Sequence, residues 1–218
     1  MATLYLVYPG ATHTRFEHSV GTFHLASKAL EAIERNSKEL LSRNGIDINT
    51  GRRLAVQLAA LLHDVGHGPC SHLFDTFAGR NQQARIVLAE YSDRVGIKFS
   101  RWSDHMTHRL IQEGVNDYDQ IPALLRRIRG ELEGEGAQGA EWITPENVAC
   151  LAVGSPSPAA TDEGYLAEIV ASDYDVDPDR DITARAVAGS SDGGGQSCYG
   201  LVGTYGTRGL QGKLHLVK

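Results

Sequence analysis

Long apolar runs, paired cysteines and an excess of basic residues are all missing from this 218-residue chain. No stretch approaches the run of roughly 18 apolar residues that spans a bilayer as a helix. The apolar segment Leu4 to Tyr8 is too short for a secretory core, and no basic segment precedes it. No membrane partner and no secretory route are therefore expected. The three cysteines, Cys70, Cys150 and Cys198, are too widely spaced for a CxxC metal pair and too few for a disulfide framework. An intracellular setting, nucleus or cytoplasm, is expected, with Cys70 as a small packing residue. The 21 basic residues against 27 acidic ones give a formal net charge of −6, so a broad nucleic-acid surface is not indicated. A phosphate substrate stays open, because a bound divalent metal is itself a strong local positive charge.

What the chain does have is helical periodicity. From about Ser19 to Ser42 the apolar positions Val20, Phe23, Ala26, Leu30, Ile33, Leu40 and Leu41 mostly recur at helical spacing, and Asn44-Gly45 supplies a stop. A second helix follows, capped by Asn49 or Thr50, with Leu54, Leu58, Leu61 and Leu62 as its apolar face and alanines between them. It runs out at His63-Asp64, where Gly66, Gly68 and Pro69 oppose continuation. Residues 66–72 then read as a tight loop. Further helices are expected over 84–95, 104–113, 119–133 and from Pro145 to Leu151, with a helical turn or two from Tyr165 to Ala171. Residues 3–9 read as a short strand or extended entry. Beyond about residue 186 the sequence turns Gly- and Ser-rich, as in Gly189-Ser-Ser-Asp-Gly-Gly-Gly. The expectation is an all-α domain over residues 1–185 and a tail over 186–218 without fixed structure.

Six of the nine histidines fall between residues 13 and 72: His13, His18, His24, His63, His67 and His72. Imidazole suits borderline transition metals, and carboxylates such as Asp64 and Asp75 add charge neutralisation. A mixed His/Asp set without cysteine suits a catalytic metal site with open positions for water and phosphate oxygens. A His-Asp pair alone is weak, because it also arises by chance or as a helix-end contact. Its setting is specific. His13-Thr-Arg-Phe-Glu-His18-Ser-Val-Gly21 stands 45 residues, His18 to His63, ahead of Leu61-Leu-His-Asp-Val-Gly-His-Gly-Pro-Cys-Ser-His-Leu-Phe-Asp75.

These two segments, with a distal Asp173-Tyr-Asp-Val-Asp177, strongly resemble the HD-domain deoxynucleoside triphosphate triphosphohydrolases, above all the eukaryotic branch that also carries a sterile-alpha-motif domain. The resemblance covers roughly residues 5–115, plus a short block at 165–177. It implies a helical metallohydrolase that cleaves deoxynucleoside triphosphates (dGTP among them) to deoxynucleoside and triphosphate. It implies metal ligands His18, His63, Asp64 and Asp177, with Asp175 as the nearest rival for the last. The ion would be iron, manganese or zinc, with magnesium accompanying the substrate triphosphate. His67, His72 and Asp75 are implied to handle the α-phosphate and proton transfer. Arg15 is implied to contact nucleotide, and His105, after Trp102-Ser-Asp, matches a further catalytic histidine with its spacing off by a residue. A homo-oligomer is also implied by the family.

Blander readings stand beside these. Arg15 and Glu17 can be a solvated pair, and His72 and Asp75 a loop contact. His13 and His24 default to non-catalytic positions, His108 and His215 to structural or exposed ones, and Asp173, Asp175, Asp179 and Asp181 to a solvated acidic run. The chain also departs from the family. It starts almost at the first motif, and after Asp177 it continues Pro-Asp-Arg-Asp without the family's sugar-packing tyrosine. The expectation is a truncated or frameshifted family sequence that binds metal, with weak or undetectable turnover of nucleotide. A nucleotidase or phosphodiesterase on the same metal core is the rival enzyme. A catalytically impaired remnant that binds metal or nucleotide is the rival of another class.

Overall fold

The computed structural model describes residues 14–43, 47–115, 119–155, 183–186, 200–204 and 214–217. Its body is helical, as the periodicity predicts. Helix α1 runs Arg15–Asn36 and is followed by the short α2, Lys38–Arg43. The sequence places the start of α1 four residues later and reads α1 and α2 as one helix. Both differences have a local cause. Thr14 and Glu17 form a capping box, the Thr14 side chain accepting from the Glu17 backbone N–H and the Glu17 carboxylate accepting from the Thr14 N–H. That fixes the start within the Arg-Phe-Glu-His segment. Ser37, outside helical geometry, breaks the run after Asn36.

Helix α3, Thr50–Leu62, is capped by the Asn49 side chain, which accepts from the Arg52 N–H at 3.0 Å. Its buried stripe is Gly51, Ala55, Val56, Ala59 and Ala60, while Leu54, Leu58 and Leu62 are only partly buried. The leucine face expected from sequence is thus the flank. Small side chains let α3 sit close against α1 and against α8, Pro145–Ala152. Helix α8 is itself buried from Asn147 to Ala152, with Thr144 as its cap and Pro145 in the first turn. Leu30 and Ile33 of α1, Val56 of α3 and Val148 of α8 meet in one core with Ile111, Leu125 and Ile143.

The remaining helices wrap this core: α4 His72–Arg80, α5 Gln82–Val95, α6 Trp102–Gln112 and α7 Gln120–Gly134. Of the apolar period in α7, Leu125 is buried and Leu124 faces solvent. Helix α4 begins at His72, where the sequence reads only the end of a loop. Near the C-terminus the backbone of β1 Thr183–Ala186, β2 Gly200–Thr204 and β3 Leu214–Val217 pairs as an antiparallel sheet in that order. The other residues from 156 on, and the extended entry expected at 3–9, lie outside the described residues. No helix among the described residues is long and apolar enough to cross a membrane.

Between α5 and α6 lies a buried polar pocket of side chains. His105 is 0% exposed, edge-on to Tyr91, Phe99 and Trp102 with centroid separations of 4.7, 6.2 and 5.0 Å. His108 shares a 2.9 Å hydrogen bond with the Tyr91 hydroxyl and lies 3.8 Å from Cys150 Sγ. Burial pushes the Cys150 thiol up to about 12, so it is an inert packing group. Burial, reinforced by Arg109, holds His105 down at about 4, and burial with the His105 charge does the same for His108. Both rings are therefore neutral in the fold, whereas in the unfolded chain they protonate near 6.5. Between those values the unfolded state binds more protons, so stability falls as pH drops from about 6.5 to about 4 and levels off below. A loss on the order of 2–3 kcal/mol per histidine is expected. Denaturant midpoints measured from pH 7 to pH 4 check it. His105→Phe should flatten the decline.

Candidate metal centre

The site is built where α3 ends. His63 is the C-cap residue of α3 and keeps helical backbone angles, so its ring projects from a rigid, packed element. His63 Nδ1 donates to the Ala60 carbonyl at 2.8 Å. A carbonyl can only accept, so in the neutral ring the lone pair is on Nε2. That atom lies 3.3 Å from His18 Nε2 on α1 and 3.2 Å from Asp64 Oδ1, and His18 Nε2 lies 3.5 Å from Asp64 Oδ2. Ligand atoms of His18, His63 and Asp64 all fall within 4.8 Å of one another. Two imidazoles and one carboxylate, with one ring locked in the tautomer that offers Nε2, are a donor set that fits a divalent transition metal.

The turn after the pair is tied to α6. Gly66 N–H donates to Thr107 Oγ1 at 3.0 Å, and that hydroxyl donates to the His63 carbonyl at 3.1 Å. Gly66 is required here by space: an added Cβ would stand 2.1 Å from Thr107 N and 2.6 Å from the Ser103 carbonyl oxygen. Thr107→Val keeps the shape and removes both hydrogen bonds, leaving the buried Gly66 N–H unpaired. A stability loss of about 1–3 kcal/mol is expected by chemical denaturation.

Past Gly66 the second group of the motif assembles. His67 Nδ1 is 3.2 Å from Asp64 Oδ1, and His67 and His72 stack edge to face at 4.9 Å. Burial lowers the pKa of His67, with the Asp64 charge opposing. Asp75 Oδ1 accepts from Ser103 N–H at 2.8 Å and Oδ2 from Ser103 Oγ at 2.9 Å, which leaves its contact to His72 at a loose 3.7 Å. The backbone just ahead of α4 is strained, with positive φ at Cys70 and Ser71. Cys70 is exposed there, which corrects its reading as a packing residue.

Other sequence candidates divide. Arg15 places its guanidinium 3.6 Å from Asp64 Oδ2, so it points into the site, while Glu17 serves the helix cap. His105 is in the aromatic cage on α6 and joins neither histidine group. His24 is exposed and His108 is a buried core residue. Asp177 and Asp175, with His13, lie outside the described residues. Ser103 and Thr107 carry no motif, yet they fix Asp75 and the His63 turn. Their one sequence signal is that they sit four apart on α6 and so share a face.

Comparison with known proteins settles the family. The HD domain matches residues 15–146, more than half of the chain. The chain belongs to the HD-domain family. Within this HD domain lie the histidine groups of both motifs. The deoxynucleoside triphosphate triphosphohydrolase SAMHD1 of Danio rerio is 48% identical over 71 residues, covering 33% of this chain and 10% of that protein. The Homo sapiens protein of the same name is 46% identical over 71 residues, with the same shares. A SAMHD1 homolog from Dictyostelium discoideum is 32% identical over 121 residues, 55% of this chain and 20% of that protein. The HD-domain chain thus spans about a tenth to a fifth of the length of these relatives.

Proposed function

We propose that this HD domain is the metal-dependent hydrolytic core of a deoxynucleoside triphosphate triphosphohydrolase, acting on dGTP among other deoxynucleotides inside the cell, in nucleus or cytoplasm. The observation that carries the reading is the convergence of His18, His63 and Asp64 beside His67, His72 and Asp75 at one helix end. The names of the relatives point to the same substrate class. His18, His63 and Asp64 would hold the ion, and Asp177 is proposed as the fourth protein ligand. When bound, a divalent ion supplies positive charge against phosphoryl oxygens and acidifies water.

The residues of this chain divide the remaining work. Arg15, close to Asp64 and partly exposed, offers a cation to the nucleotide's phosphates. His67, His72 and Asp75 flank the α-phosphate and the leaving 5′ oxygen. Water attacks the α-phosphorus, the bond to the 5′ oxygen breaks, and the proton balance leaves a deoxynucleoside hydroxyl and intact triphosphate. Holding the α-phosphate between two groups of fixed side chains is a positioning contribution, which carries a large share of such catalysis.

Product analysis by phosphorus NMR on a panel of deoxynucleotides tests this reading. Triphosphate as the phosphorus product, slowed at least about tenfold in Asp177→Ala, is expected, by analogy with the roughly 10–100-fold cost of disturbing a metal's surroundings. Orthophosphate alone would favour a nucleotidase on the same metal core.

A further inference from the structure

Helix α6 serves the metal centre through Ser103 and Thr107, while His108 and Gln112, on another face of it, border a separate cavity. The cavity encloses about 330 Å³, at the small end of the range for ligand pockets, and lies between the end of α5, the second half of α6 and α8. Val95, Ile97 and Cys150 contribute its apolar side. The polar side is uneven. Arg94 lies 2.7 Å and Arg109 3.7 Å from Glu113, so both guanidinium groups of this corner turn to one carboxylate. Glu146, an exposed lining residue, has no ion-pair partner among the described residues. The side-chain carbonyl of Gln112 is buried and has no hydrogen-bond partner among the described residues. Helices α5 and α6 both end at this cavity, with Val95 and Gln112 as their last residues, and helix C-termini favour positive charge. Against them stands one N-terminus, that of α8, which Glu146 in its first turn already faces. Acceptors and negative charge are thus in excess.

We propose that this cavity binds a small alkyl cation of the ammonium or guanidinium class, with its charged head on the Glu146 carboxylate and its stem along Val95, Ile97 and Cys150. The last torsion of a glutamine side chain is broad, so the Gln112 amide can turn its carbonyl into the cavity and accept from a second N–H of the head. That pairs the one buried acceptor of the lining that is otherwise unmade. A phosphate ligand does not suit the same place. It would face the unpaired Glu146, while Arg94 and Arg109 are both engaged by Glu113. The site shares no residue with the metal centre, and its occupation rests on no assignment made there.

The test titrates the isotope-labelled 218-residue chain with butylguanidinium chloride and follows backbone and glutamine side-chain signals by NMR. Saturable shifts centred on Val95, Ile97 and Gln112 are expected, and they should persist in the His63→Ala/Asp64→Ala chain. Glu146→Gln, a change at an exposed position, should weaken binding at least about threefold, the upper part of what an exposed ion pair contributes. Butylurea, of the same shape but uncharged, should bind the unaltered chain more weakly by a similar factor, and inorganic phosphate should leave these signals in place. The absence of any saturable shift would overturn the proposal. So would butylurea binding as tightly as butylguanidinium, or binding that withstands both Glu146→Gln and Gln112→Leu.

Discussion

After dialysis against metal-free buffer, the unaltered chain is expected to keep about one tightly bound divalent ion, and the His63→Ala/Asp64→Ala chain none. Changes outside the ligand shell of a metal site already cost about 10–100-fold in affinity, so deleting two ligands should cost more. The expectation follows from geometry that one variant cannot evade. His63 Nε2 is presented by the hydrogen bond to Ala60, and Asp64 touches His18, His63 and Arg15. With both gone, His18 is the one ligand of that group left. The fold should survive, because neither side chain is part of the apolar core and Arg15 is exposed enough to be solvated without Asp64. Far-ultraviolet circular dichroism checks that survival, and elemental analysis reads the metal. His24→Ala, an exposed histidine of the same helix as His18, should retain the ion. A double variant with full occupancy would sink the assignment.

The second large effect is structural and reaches the site through one atom. Gly66→Ala is expected to destabilise the fold by about 3 kcal/mol or more, the upper part of the range for overpacking. The added methyl would meet backbone on two sides, Thr107 N and the Ser103 carbonyl, and backbone cannot swing aside as a side chain does. Either α6 moves away or the His63-Asp64 turn does, and each breaks the Thr107 link. Because Ser103 also holds Asp75, both histidine groups should loosen together. Gly130→Ala is the opposite control. It lies within α7 with nothing near its Cβ, so a gain of about 0.5–1 kcal/mol is expected from helix propensity. Urea midpoints of the two variants should shift in opposite directions.

Much of this was legible in the sequence because the chemistry is carried by side chains in a dense, specific order. His18, His63 and Asp64 stand out through spacing, and the end of α3 stands out through Gly66, Gly68 and Pro69. What was not legible has physical reasons. The start of α1 is set by a Thr14–Glu17 capping box hidden inside a motif that draws attention for its arginine and histidine. Helix α4 escaped because two of its three large apolar residues, Leu73 and Phe77, face outward, so only Phe74 and Ala78 mark its inner side. The core face of α3 is alanine and valine, which a search for leucines passes over. The supports of the site are backbone carbonyls and two small hydroxyl residues of α6, Ser103 and Thr107, which lie 28 and 44 residues downstream of the Asp75 and His63 they hold, separations over which local periodicity carries no information.

The most direct measurement is an anomalous difference map from a crystal of the chain grown with manganese. The strongest peak should lie about 2.0–2.3 Å from His18 Nε2, His63 Nε2 and a carboxylate oxygen of Asp64, the range of protein nitrogen and oxygen bonds to such ions. A strongest peak elsewhere, or no peak near these three residues, would contradict the account.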